Sequence, residues 1–164
     1  MTKNKGKILI IYFLTLGGVV IWISAILLAP YLKSKSIILN VYVYTIFSSI
    51  CHQIPSRSFF LFGYPLAVCV RCFGIYSGFF SGVLFYPVLK SFSSTSLPQV
   101  KAFIFLSFPV VFDTIGNFIR LWSTPNIPRF FTGFLWGLIL PFYFIAGITD
   151  LALKLRNNNY ESDQ

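Results

Sequence analysis

All three cysteines of the chain, and its single histidine, fall within the 22 residues from Cys51 to Cys72. The stretch opens Cys51-His52-Gln53-Ile54-Pro55-Ser56-Arg57-Ser58-Phe59 and closes Cys69-Val70-Arg71-Cys72-Phe73-Gly74. Thiolate and imidazole are the side chains that zinc and other soft or borderline metals prefer. The C-x-x-C pair puts two sulfurs on one turn, and adding Cys51 and His52 gives the Cys3His set of a tetrahedral zinc site. Cys51 and His52 are adjacent, and neighbouring side chains diverge in regular structure. Both reach one ion only from an irregular turn, which Pro55 favours. Two other readings of the same residues stay open. Cys69 and Cys72 can act as redox thiols or a disulfide, or the cysteines can be small buried hydrophobes. A haem attachment is excluded because Phe73, not His, follows Cys72. A zinc deaminase is excluded because Gln53-Ile54 follows the histidine and supplies no general-base Glu.

A second group of polar residues lies downstream. Asp113, Gly116, Asn117 and Arg120 recur at spacings of three and four and so share one face of a helix. A charge inside an apolar segment is costly and turns to the bundle interior. Asp113 is thereby the candidate general base, with a packing ion pair as the plainer alternative. Arg57, Arg71 and Arg129 stand at the edges of apolar segments, and with Arg120 they make an arginine rim near the Cys/His stretch. Arginine matches carboxylate and phosphate geometry, so an anionic ligand is expected. The candidate substrate-binding set is Gln53, Arg57, Ser58, Arg71, Asn117, Arg120, Arg129 and Thr132.

These residues must be positioned by elements whose solvent is lipid. Charged residues are 10% of the chain, hydrophobic residues are 56%, and 20 are phenylalanine. A soluble domain carries about a quarter charged residues. The net charge of +9 does not indicate nucleic acid, because the lysines flank apolar runs as membrane anchors do. Residues 1–164 are read as one multi-pass domain of the cell membrane. The fold class is an all-α membrane protein, a bundle of about four transmembrane helices plus one interfacial or partial helix. The spans are expected at about 8–29, 73–89, 100–122 and 130–153, with the Cys/His loop at 51–72. The first is too long for a signal-peptide core and lacks a clean small-x-small site after it, so it is expected to remain as a helix. The apolar stretch 36–50 is expected to lie at the interface or dip partway in. If it spans instead, the site moves to the other face of the membrane. With four spans and the N-terminus inside, seven basic residues fall inside (Lys3, Lys5, Lys7, Lys90, Lys101, Lys154, Arg156) and five outside (Lys33, Lys35, Arg57, Arg71, Arg129), a modest positive-inside bias. Residues 91–98 form a Ser-rich loop, with Pro98 suited to a helix start. The tail from Asn157 is expected to fray, and Pro109 and Pro141 to kink their helices. Gly74, Gly78 and Gly82, and again Gly133 and Gly137, form small-xxx-small ladders for close helix packing.

The segment Cys51-His52-Gln53-x-Pro55-x-Arg57-Ser58-Phe59, with Gly63 and Cys69-x-Arg71-Cys72-x-Gly74-x-Tyr76-x-Gly78, resembles a family of small prokaryotic membrane proteins of unknown function. The resemblance extends to Asp113, Arg120 and Arg129-x-x-Thr132-Gly133, and covers about residues 50–137. It implies a shared site and carries no activity with it.

The leading expectation is a metal-dependent membrane enzyme acting on an anionic or lipid-phosphate substrate, with zinc on Cys51, His52, Cys69 and Cys72. A complete Cys3His shell would leave no open position and would favour a structural metal. A small transporter or channel subunit lined by Asp113 and Arg120 is the second reading, and a membrane thiol–disulfide protein the third. The lipid bilayer is the expected partner. A homodimer through the glycine ladders is a further expectation, and nucleic acid is not expected.

Overall fold

A computed structural model describes residues 2–89 and 100–162; the expected Ser-rich loop, Lys90 and Pro98 lie outside the described residues. Five helices are described: α1 (Thr2–Ser34), α2 (Leu39–Ser48), α3 (Val70–Leu89), α4 (Val100–Phe118) and α5 (Asn126–Ser162). A short 3-10 turn (Pro55–Arg57) and a small hairpin, β1 (Phe60–Leu61) with β2 (Tyr64–Pro65), lie between α2 and α3. The protein is an all-α membrane protein with this one hairpin added.

Among the described residues, three helical stretches are long and apolar enough to cross a membrane: Ile8–Ser34, Val70–Leu89 and Asn126–Ala152. Their large apolar side chains face outward, with Leu14 71%, Val88 79% and Phe105 of α4 79% exposed. A surface this apolar suits lipid as its solvent. The apolar stretch of α4, Phe103–Phe118, reaches about 24 Å at 1.5 Å per residue, less than a hydrocarbon core of about 30 Å. α2 is shorter still, with 10 residues or about 15 Å, so it does not span. The partial helix expected at 36–50 is this element.

The expected boundaries move in informative ways. α1 continues past Pro30, which it holds inside. α3 begins at Val70 rather than Phe73, which puts Arg71 and Cys72 in its first turn. α4 stops at Phe118 rather than Trp122. α5 begins at Asn126 rather than Phe130, placing Arg129 in its first turn, and runs through the polar tail to Ser162. No Pro or Gly follows Gly147 to end that helix.

The glycine ladders direct the packing. A Cβ on Gly74, Gly78 or Gly82 would lie 2.4, 2.1 or 2.3 Å from the carbonyl oxygens of Phe130, Phe134 and Leu138. On the opposite helix, a Cβ on Gly133 or Gly137 would lie 2.5 or 2.1 Å from the carbonyl oxygens of Arg71 and Ile75. The contacts advance together along both helices, so α3 and α5 run parallel, backbone against backbone. The two ladders therefore satisfy one another within a single chain. The glycine faces expected to join two copies are already covered.

α4 runs back against α5: the Trp136 indole donates to Ser107 Oγ at 2.8 Å, and the Phe103 and Tyr143 rings meet at 5.2 Å. α1 lies antiparallel to α3. Its first half packs Ile8 and Tyr12 with Val83, Tyr86 and Ile145. Its second half packs Ile26 and Ala29 with Phe47, Cys51, Leu66, Ala67 and Val68. The end of α1, the Cys/His loop, the starts of α3 and α5 and the end of α4 thus meet at one end of the bundle. The start of α1 lies at the other.

Candidate functional site

The loop 49–69 is built to present sulfur. Gln53 holds a left-handed backbone, φ 49, and its side-chain amide donates to the carbonyls of Tyr44 and Ala67, each at 2.7 Å. That clamp ties the end of α2 to the approach of α3. The Ser58 hydroxyl donates to Ile54 O at 3.0 Å and is buried. The hairpin turns through Phe62 (φ 53) and Gly63 (φ 80), the two positive φ values of a type I′ turn. The Tyr44 hydroxyl donates to Pro65 O, and the Lys33 ammonium lies 5.3 Å from the centroids of both the Tyr44 and Tyr64 rings. These bonds hold Leu66 to Val68 in the core, with Cys69 directly before α3.

The three sulfurs meet. The Sγ atoms of Cys51, Cys69 and Cys72 lie within 4.8 Å of one another, and all three cysteines are free thiols. Cys51 Sγ accepts the backbone N–H of Cys69 at 3.1 Å. Hydrogen bonding from the Cys69 side chain, then from that of Cys72, holds the Cys51 thiol well below its ordinary value, outweighing burial. Three thiolates on a tetrahedral zinc ion with Zn–S of about 2.3 Å stand about 3.8 Å apart. The observed grouping therefore fits such an ion with little movement.

His52 does not join the sulfur group among the described residues. Cys51 turns inward and is buried, so its neighbour turns outward: His52 is exposed. It nevertheless lines the same cavity. That cavity, of about 300 Å³, is walled by Cys51, Cys69, Cys72 and His52 with Arg57, Arg71, Arg129 and Asn117. Cys69 and Cys72 of the C-x-x-C line it together with three of the four expected rim arginines, Arg57, Arg71 and Arg129.

Behind the cavity wall lies a hydrogen-bonded relay. Arg71 pairs with Asp113 Oδ2. Asp113 Oδ1 accepts from Thr124 Oγ1 and, at 3.0 Å, from Asn117 Nδ2. Asn117 Nδ2 also reaches Thr124 Oγ1 at 2.8 Å and Asp113 O at 2.7 Å. Asn117 Oδ1 accepts from Arg129 Nη2 at 2.6 Å and from the Thr124 backbone N–H at 3.2 Å. Asp113 and Asn117 thus link two cavity arginines carried on different helices. Asp113 does not line the cavity, and both its oxygens have partners, so the geometry fits a positioning group better than a general base. Thr124, which the sequence reading passed over, belongs to this relay. The turn signal Ser123-Thr124-Pro125 directly after an intramembrane Asp/Asn pair was its available mark.

Four expected binding residues are off the cavity wall: Gln53 and Ser58, whose side chains bond to backbone carbonyls, and Arg120 and Thr132. Arg120 was placed on the Asp113 face, but α4 ends two residues before it. Leu121 N–H bonds to Gly116 O at 2.9 Å and Arg120 takes φ 59, the Schellman termination. Arg120 is exposed and off the cavity wall. Gly116 is required here by Trp122, whose ring atom Cζ2 would lie 1.9 Å from an added Cβ. The Thr132 hydroxyl donates back to Arg129 O at 3.1 Å and does not reach the cavity wall.

A protein of Methanocaldococcus jannaschii, described as uncharacterised, is 36% identical over 149 residues, covering 87% of this chain and 96% of its own length. A second uncharacterised protein, from Methanothermobacter thermautotrophicus, is 34% identical over 87 residues, 53% of this chain and 77% of that protein. No solved structure matches. Residues 51–143, more than half of the chain and starting at Cys51 itself, match the family described as "Predicted membrane protein (DUF2085)". The chain therefore belongs to that family of membrane proteins.

Proposed function

We propose that Cys51, Cys69 and Cys72 form a thiolate metal centre, with zinc as its natural occupant, in a membrane enzyme whose cavity admits an anionic substrate. One observation carries this reading: three sulfurs, drawn from two separate segments, converge within 4.8 Å on the wall of a cavity that three arginines also line. Buried inert cysteines have no reason to converge this way. Three thiolates, rather than the four ligands expected with His52, would hold the ion and would leave it short of a closed four-ligand protein shell, as in catalytic zinc sites. Zinc bound there supplies a Lewis acid. The chain's own residues do the rest. Arg57, Arg71 and Arg129 attract and orient a negative group, Asp113 and Asn117 hold Arg71 and Arg129 in place, and His52 stands at the rim as the available imidazole.

The test is metal stoichiometry and a spectrum. Purified protein should carry about one zinc per chain, and Cys69→Ser should lose it. Reconstitution with cobalt should give strong thiolate charge-transfer bands that Cys72→Ser weakens. Absence of bound metal together with unchanged stability after chelation would overturn the centre.

One feature favours a second reading. Cys69 and Cys72 form a C-x-x-C at the N-terminus of α3, the setting of many redox dithiols. Under that reading Cys72→Ser should trap a mixed disulfide through Cys69 in an oxidising compartment, and no metal should be retained.

A further inference from the structure

We infer that the arginine side of the cavity is a binding site for a tetrahedral oxyanion of the phosphate class. The inference rests on the proposed function only in taking the same cavity as functional; it does not need the metal to be bound. Three guanidiniums enter from three separate elements: Arg57 from the 3-10 turn, Arg71 from α3 and Arg129 from α5. They lie near enough for Arg57 and Arg71 to repel Arg129. Asp113 is the carboxylate that answers them, and it pairs with Arg71. A divalent ion on three thiolates would carry one further negative charge. One positive charge is still unanswered with the metal bound.

The donors are unanswered too. Among the described residues, the Nε–H groups of Arg71 and Arg129 are buried without a hydrogen-bond partner, and Arg129 as a whole is only 6% exposed. A buried donor left empty is costly, and a charged one more so. The relay through Asp113 and Asn117 holds both guanidiniums by Nη2 and does not use those Nε–H donors. The first turns of α3 and α5 reach the same cavity, and their dipoles favour negative charge there. A planar carboxylate accepts from a fork along one edge. Three guanidiniums arriving from three elements suit an anion with oxygens in three directions, which is a phosphate or phosphate ester group.

That group can come from free phosphate or from a lipid headgroup, and two arms separate the sources. In the first, full-length protein in phosphatidylcholine nanodiscs is titrated with inorganic phosphate by calorimetry, with acetate at equal ionic strength as control. In the second, phosphatidic acid is added to the nanodiscs and retention is read by native mass spectrometry. Binding in either arm that weakens about tenfold in Arg57→Gln, the size of one lost charge-assisted bond, supports the site. Arg57 is exposed, so this variant should fold, and an unchanged thermal unfolding midpoint checks that it has. Binding that survives in Cys69→Ser keeps the anion site even if the metal centre falls. Phosphate or phosphatidic acid binding no stronger than acetate or phosphatidylcholine, or unaltered by both Arg57→Gln and Arg129→Gln, would overturn it.

Discussion

Gly133 lies beneath the carbonyl oxygen of Arg71, where an added Cβ would approach to 2.5 Å. The obstacle is backbone, which cannot rotate away. Close helix packing and site position are therefore one constraint, because the turn of α3 that rests on Gly133 also carries Arg71 and Cys72.

Gly133→Ala should destabilise the protein by about 2 kcal/mol through overpacking and should also weaken metal retention. Gly147→Ala, where nothing lies within 4 Å, is the control and should leave both unchanged. Unfolding in mixed micelles and zinc content measure the pair.

Asp113→Asn should leave Arg71 without its counter-charge at a cost of about 3 kcal/mol. The double variant Asp113→Asn with Arg71→Gln should cost clearly less than the sum of the two single changes. Additive losses would show that the pair is not coupled.

Arg120→Gly should stabilise the protein by about 1 kcal/mol, because the C′ residue of α4 sits at φ 59, where a side chain is strained. Anion binding should not change. A loss of binding would return Arg120 to the site, as its spacing from Asp113 first suggested.

Gln53→Glu replaces a donor with a charged acceptor facing the carbonyls of Tyr44 and Ala67. It should cost more than Gln53→Ala, itself about 2 kcal/mol for two lost hydrogen bonds. Thermal unfolding of both variants decides the order.

Cys51 gives a pH signature in metal-stripped protein. Its ordinary value is 9.0 and the fold depresses it. A depressed acid stabilises the fold fully above its unfolded value, and that contribution is lost as pH falls toward the folded one. The wild type should therefore lose thermal stability progressively as pH falls below about 9. Cys51→Ser should show a flatter profile over the same window.

Composition and spacing settled the solvent of this protein, the helical class, the C-x-x-C and the two glycine ladders. Each of these depends on residue type at short separation: apolar runs need lipid, and small residues four apart make a smooth helix face whatever they meet. What the ladders meet was not local information. Only the folded chain put Gly74, Gly78 and Gly82 of α3 against the backbone of α5 and took those faces from a second copy. The same holds for the site. Cys51 and the C-x-x-C are 18 residues apart in the chain, and the clamp of Gln53 on Tyr44 and Ala67 closes that gap. Adjacent residues diverge at Cys51 and His52, so one turned to the sulfur group and the other to the rim. Arg120 left its expected face because a helix end is decided by what packs on it, here Trp122 over Gly116. Thr124 joined Asp113 through a turn that helical periodicity does not describe. Pairwise distance between remote residues follows from backbone closure and packing, and no spacing rule along a chain contains it.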